Sequence, residues 1–86
     1  MAAVHFLPDS VRIAADGREF IPQVMASERA DGMWEAWIEF HPTDGGPVLA
    51  TERESTQPSR AAVEYWASGL EPVYYEGAFQ RATGAA

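Results

Sequence analysis

The chain has 86 residues, with 47% hydrophobic and 22% charged side chains, which suits one globular domain rather than two domains or a disordered segment. Thirteen acidic residues against six basic ones leave a net charge of −7. That acidity argues against a nucleic-acid partner, because phosphate contacts need a basic stripe. Cysteine is absent, so disulfides, thiolate–metal sites and thiol nucleophiles are excluded, and every basic residue is arginine, which excludes lysine chemistry.

The N-terminal stretch Met1 to Pro8 carries no basic region of a secretion signal, and no apolar run approaches the ~20 residues of a membrane span, so a cytoplasmic protein is expected. Within it, Val4, Phe6 and Leu7 suit either a short edge strand or a segment pinned to the core and stopped by Pro8. Asp16-Gly17 then marks a two-residue hairpin turn with positive φ at both positions. It would pair Ile13 with Phe20 on one face and Arg12 with Ile21 on the other. The second strand runs on to Ser27, with Pro22 calling for a bulge or an early end to its neighbour.

After the polar turn Glu28 to Gly32, the stretch Met33 to His41 alternates with period two. Trp34, Ala36, Ile38 and Phe40 fall on one face, and Glu35, Trp37 and Glu39 on the other. Asp44-Gly45-Gly46-Pro47 is a turn, and a fourth strand is expected over Val48 to Arg53. If its parity continued past Ala50, Glu52 and Glu54 would turn toward the core, unless the strand twists off the edge first.

Helix signals follow, with Thr56 or Gln57 as cap, Pro58 in the first turn, and Ala62, Val63, Trp66 and Leu70 as an apolar stripe. Gly69 suits a left-handed stop, with Leu70 folding back onto Tyr65. From Pro72 a second helix would place Tyr75, Ala78, Phe79 and Ala82 on one face. A kinked single helix, or a strand at Val73 to Tyr75, is also compatible.

Together these elements predict an α+β domain over residues 1–86. It comprises an N-terminal segment (1–8), an antiparallel meander of three to four strands (10–54) and a helical part (57–83) of one or two helices on one sheet face. Independent hairpins agree on an inner face of Ile13, Phe20, Val24, Ala26, Trp34, Ala36, Ile38, Phe40, Val48 and Ala50. The other face would hold Ile21, Gln23, Met25, Glu35, Trp37, Glu39, Leu49, Thr51 and Arg53, with Glu35 opposite Arg53. Ile21, Met25, Trp37 and Leu49 make it too apolar for a solvated surface, and a patch of a few hundred Å² of this kind marks an interface. The partner-binding residues expected are therefore Ile21, Met25, Glu35, Trp37, Glu39 and Leu49, serving a homodimer or a small protein partner. The N-terminal segment or the second helix folding over the face would remove it.

No catalytic, cofactor or metal site is expected. Glu35 and Glu39 lie ~13 Å apart by strand rise, beyond the ~5 to 9.5 Å of paired glycosidase carboxylates. His41 and Asp44 share a loop but not a recognised ligand spacing, and Ser55, Thr56 and Ser59 read as a helix start. A second possibility is a ligand cleft between helix and sheet lined by Trp66, Tyr74 and Tyr75.

The stretch Trp34-Glu35-Ala36-Trp37-Ile38-Glu39-Phe40, followed by a Gly loop, a strand and a Ser/Thr/Gln-started, Ala-rich helix, resembles the HicB antitoxin N-terminal domain over residues 20–70. The resemblance implies a small sheet with a helix on one face, dimerisation and a small toxin partner. His41-Pro42-Thr43-Asp44-Gly45-Gly46 stands where that family has Pro-Gly-Cys, and the family's DNA-binding segment has no counterpart here, which puts a repressor role in doubt. The runs Thr51 to Pro58 and Leu70 to Ala82 also resemble a small bacterial family with which no activity is associated.

Overall fold

A computed structural model describes residues 4–6 and 11–84. Six strands form one antiparallel sheet: β1 (Val4–Phe6), β2 (Ile13–Ala15), β3 (Arg18–Glu28), β4 (Trp34–Pro42), β5 (Leu49–Ala50) and β6 (Ser55–Gln57). Two helices follow, α1 (Arg60–Ser68) and α2 (Pro72–Thr83), and both pack on one side of the sheet. The architecture is the α+β class that alternation and capping predict; the fourth strand expected over Val48 to Arg53 shortens to β5, β6 forms where the helix start was expected, and Val4 to Phe6 takes the edge-strand alternative.

The β3–β4 hairpin is the spine, with an unbroken register from Phe20↔Pro42 to Glu28↔Trp34. Asp16 and Gly17 turn the chain from β2 into β3 with φ of 53° and 75°, and Ile13 duly pairs with Phe20. β2 begins at Ile13, so Arg12 pairs with nothing across from Ile21.

Pro22 causes no bulge. The Glu19 carbonyl accepts from Thr43 N on the β4 side, so backbone alternation directs the Pro22 nitrogen to the opposite edge. There β2 covers Arg18–Phe20 and β1 covers Val24–Ala26, and Pro22 lies between the two. A residue without an N–H thus sits where no strand among the described residues needs one.

On the far edge of β4, β5 pairs with Glu39–Phe40 and β6 with Trp34–Ala36. Between them the Thr51 side chain replaces a ladder acceptor: Ile38 N donates to Thr51 Oγ1 at 3.0 Å, while Thr51 N donates to Ile38 O at 2.9 Å. This local geometry inverts the parity expected for the fourth strand. Leu49 pairs with Phe40 and packs on the core, Thr51 is buried, and Val48 and Ala50 are exposed.

The core joins Ile13, Phe20, Val24, Ile38 and Phe40 to Tyr75 and Ala78 of α2, and Ala26 and Ala36 to Val63 of α1. Phe79 contacts both Phe20 and Phe40, with ring centroids 4.9 and 5.2 Å apart. Ser59, not Thr56 or Gln57, caps α1, its hydroxyl accepting from Ala62 N at 3.1 Å. Residues 55–57 are instead occupied as β6.

Gly69 ends α1 at φ −92°, not in the left-handed region, and the chain passes directly to Pro72 at the first turn of α2. Leu70 packs on the core, whereas Tyr65 is 83% exposed. Residues 73–75 are helical, which removes both the strand and the kinked-helix alternatives. Leu7 and Pro8 lie outside the described residues.

Candidate functional site

Because β3 and β4 pair without interruption, every second residue of each faces away from the helices. Ile21, Gln23, Met25 and Ser27 stand opposite His41, Glu39, Trp37 and Glu35 in turn. His5 extends the row beside Met25, and Thr56 beside Glu35. Ile21, Met25, Glu35, Trp37, Glu39 and His41 are each half-buried by their neighbours on the sheet, and none joins the core clusters beneath the helices. Trp34 points the other way and packs around Val63, so the two tryptophans three residues apart serve opposite faces.

Of the six residues expected on a partner-binding face, five share this surface. Leu49 does not; it stands on the helix-covered side because the loop after Pro42 shifts the parity of β5. Arg53 also lies elsewhere, since Thr56 and not Arg53 pairs with Glu35. His41, Ser27 and His5 complete the face. For His41 the signal was present in the sequence, as it continues the alternation of Trp37 and Glu39.

The face has an internal polar network. The Trp37 indole Nε1 donates to Glu39 Oε2 at 3.3 Å, and His41 Nε2 lies 3.0 Å from Glu39 Oε1. One carboxylate thereby fixes the ring on each side of it along β4. Glu35 has neither hydrogen bond nor ion pair from its carboxylate to any described residue.

The aromatic cluster on the helix side is arranged differently. Tyr75 is 1% exposed and belongs to the core. Tyr74 meets the edge of Trp66, with centroids 6.1 Å apart, and its hydroxyl donates to Glu54 Oε1 at 2.6 Å. Arg81 donates to the same carboxylate through Nη2 at 2.6 Å and Nε at 3.2 Å. Burial would raise the Glu54 carboxyl, but the hydrogen bonds from Arg81 and Tyr74 and the Arg81 charge outweigh it and hold it below the ordinary carboxylate range. Burial, then the Glu54 hydrogen bond and charge, push the Tyr74 phenol up to about 12.

Tyr74 thus meets both Trp66 and Tyr75 edge-on and commits its hydroxyl to Glu54. An open groove of about 630 Å³ lies elsewhere, between the β2–β3 turn and the end of α2, lined by Ile13, Ala15, Phe79 and Thr83 among others. Of the two carboxylates that parity would turn inward, Glu52 is exposed and Glu54 alone turns in. No group of three or more metal-ligating side chains converges among the described residues. No helix among the described residues is long and apolar enough to cross a membrane.

Comparison with protein-family models, with curated proteins and with solved structures finds no match to this chain.

Proposed function

We propose that this protein is a non-enzymatic, cytoplasmic protein-interaction module that self-associates through the open face of its sheet. The observation that carries the reading is Trp37. It is a large aromatic residue at the middle of a face that neither helix covers, paired across the ladder with Met25 and set between Glu35 and Glu39 along β4. Aromatic anchors with a polar rim characterise protein interfaces. At ~25 cal/mol per Å², each ~100 Å² of apolar surface covered there stabilises an assembly by about 2.5 kcal/mol. An antitoxin-like role, with a small toxin protein on the same face, agrees with the HicB resemblance of residues 20–70 and is the more specific form of the proposal.

Sedimentation equilibrium of the wild type and Trp37→Glu tests the reading. A wild-type dimer that the substitution converts to a folded monomer supports it. A monomeric wild type, or a dimer indifferent to Trp37→Glu, overturns it.

A further inference from the structure

The side chains on the open face are ordered along β4 as Glu35, Trp37, Glu39, His41, an acid at one end and an imidazole at the other. We infer that two copies stack these faces about a two-fold axis crossing the strands at the level of Ile38, so that Glu35 of each copy meets His41 of the other. The inference rests on the self-association proposed above and specifies its geometry.

Two sheets can stack face to face by a two-fold rotation about an axis along the strands or across them. An axis along β4 keeps each residue level with its own copy, and sets Glu35 against Glu35 and Glu39 against Glu39. Moved midway between β3 and β4, it lays Glu35 over Ser27 and Glu39 over Gln23, and neither acid gains a basic group. An axis across the strands reverses them. If it crosses at Trp37, Glu35 meets Glu39, and at Glu39, that acid meets itself. Crossing at Ile38 places Glu35 over His41 and Trp37 over Glu39, twice each, as an isologous interface requires. On β3 the ladder then brings Ile21 to Ser27 and Gln23 to Met25. Only this arrangement both keeps acid from acid and gives Glu35 a basic partner, and like charges across an interface are strongly unfavourable.

Two details of the face fit it. The Glu35 carboxylate has no donor within its own chain among the described residues, so the arrangement supplies one. His41 uses Nε2 toward Glu39 at 3.0 Å, and among the described residues no hydrogen bond engages Nδ1; the imidazolium form donates from both nitrogens, so Nδ1 is left for a second carboxylate. Packed sheets cross at ~30°, which displaces residues ~10 Å from the axis by about 5 Å, within reach of a glutamate side chain. The β3–β4 ladder spans nine residue pairs. At a strand rise of ~3.4 Å and a spacing of ~4.8 Å, the four-strand-wide face covers roughly 500 Å² per copy. The resulting total of about 1,000 Å² meets the lower bound for a specific interface.

A charge swap tests the arrangement in the full chain. Glu35→Lys and His41→Glu are made separately, checked for fold by circular dichroism, and sedimented alone and as an equimolar mixture. Alone, Glu35→Lys sets an ammonium against the imidazole and His41→Glu sets acid against acid, twice in each dimer, and each dimer is expected to weaken at least tenfold. Mixed, the introduced ammonium of one variant meets the introduced carboxylate of the other while the second contact stays native, and dimer formation returns to within a few-fold of wild type. Wild-type dimers that both variants preserve, or a mixture that stays monomeric, overturn the geometry while leaving self-association standing. A monomeric wild type overturns both. Should either charge change unfold the chain, Glu35→Gln and His41→Gln take its place. Each is then expected to weaken the dimer several-fold, and an unchanged Kd overturns the arrangement.

Discussion

Tyr74 and Glu54 are twenty residues apart in the chain, yet the phenol of one donates to the carboxylate of the other at 2.6 Å. With Arg81 on the same carboxylate, the contact ties α2 to the segment joining β5 and β6. The Glu54 side chain is 9% exposed, so its acceptors are shielded from competing water. Tyr74→Phe removes one charge-assisted hydrogen bond and is expected to cost about 1.5–3 kcal/mol, read from urea unfolding midpoints. A loss below about 0.5 kcal/mol would show that water replaces the phenol without penalty.

The same pair sets a pH window. Glu54 binds its proton less tightly folded than unfolded, so its contribution is complete above the usual carboxylate pKa and is lost as pH falls through the depressed folded value. Tyr74 holds its proton more tightly folded, so its contribution is complete below 10.0 and disappears as pH rises through about 12. Glu54→Gln should flatten the acid limb of stability against pH and move the Tyr74 titration, followed by tyrosinate absorbance, back toward 10.0. A Tyr74 titration unmoved by Glu54→Gln would leave burial as its whole cause.

Thr51 completes the ladder between two short strands. Thr51→Val keeps the shape but takes the acceptor from the Ile38 amide, which is inside the sheet. The expected cost is about 1–3 kcal/mol, accompanied by faster hydrogen exchange at the Ile38 amide than at Ala36.

Adjacent residues of β4 should respond oppositely to substitution. Ile38→Ala opens a cavity under both helices and should cost about 2–5 kcal/mol, enough to unfold much of a domain this small. Trp37→Glu, on the open face, should leave monomer stability within about 1 kcal/mol of wild type. Thermal denaturation of the two at equal concentration checks the contrast.

Gly17 carries φ of 75°, and an added Cβ there meets nothing within 4 Å. Gly17→Ala therefore isolates the backbone term and should cost about 1 kcal/mol, with β2 the first strand to loosen.

Elements set by local chemistry were legible in the sequence. Asp16-Gly17 dictates its own turn and hence the Ile13–Phe20 pair, and the alternation from Trp34 to Phe40 assigns two faces without knowledge of any partner strand. What escaped depends on geometry between segments. The parity of β5 follows from how the Thr43 to Val48 loop closes, and six residues of turn-forming composition admit either outcome. The side chain of Thr51 standing in for backbone, and Glu54 reaching Tyr74 and Arg81, are contacts that no periodicity encodes. The helix start was expected within Ser55 to Ser59 with Thr56 or Gln57 as cap, and Ser59 takes that place because only the pairing of 55–57 with β4 decides among them. On the open face, Leu49 was misplaced for the same parity reason, while Ile21, Met25, Glu35, Trp37 and Glu39 depended only on the β3–β4 register.

Pro22 has a bearing on how the edge of β3 is shared out. Its side chain is fully buried, and it falls in the interval between the residues that β1 and β2 pair with. A proline has a carbonyl and no hydrogen to offer there. One long strand laid along this edge would lose a hydrogen bond at that position, whereas two short ones ending on either side of it lose none, so the choice of residue 22 partitions the edge between two neighbours at no cost to the spine behind it.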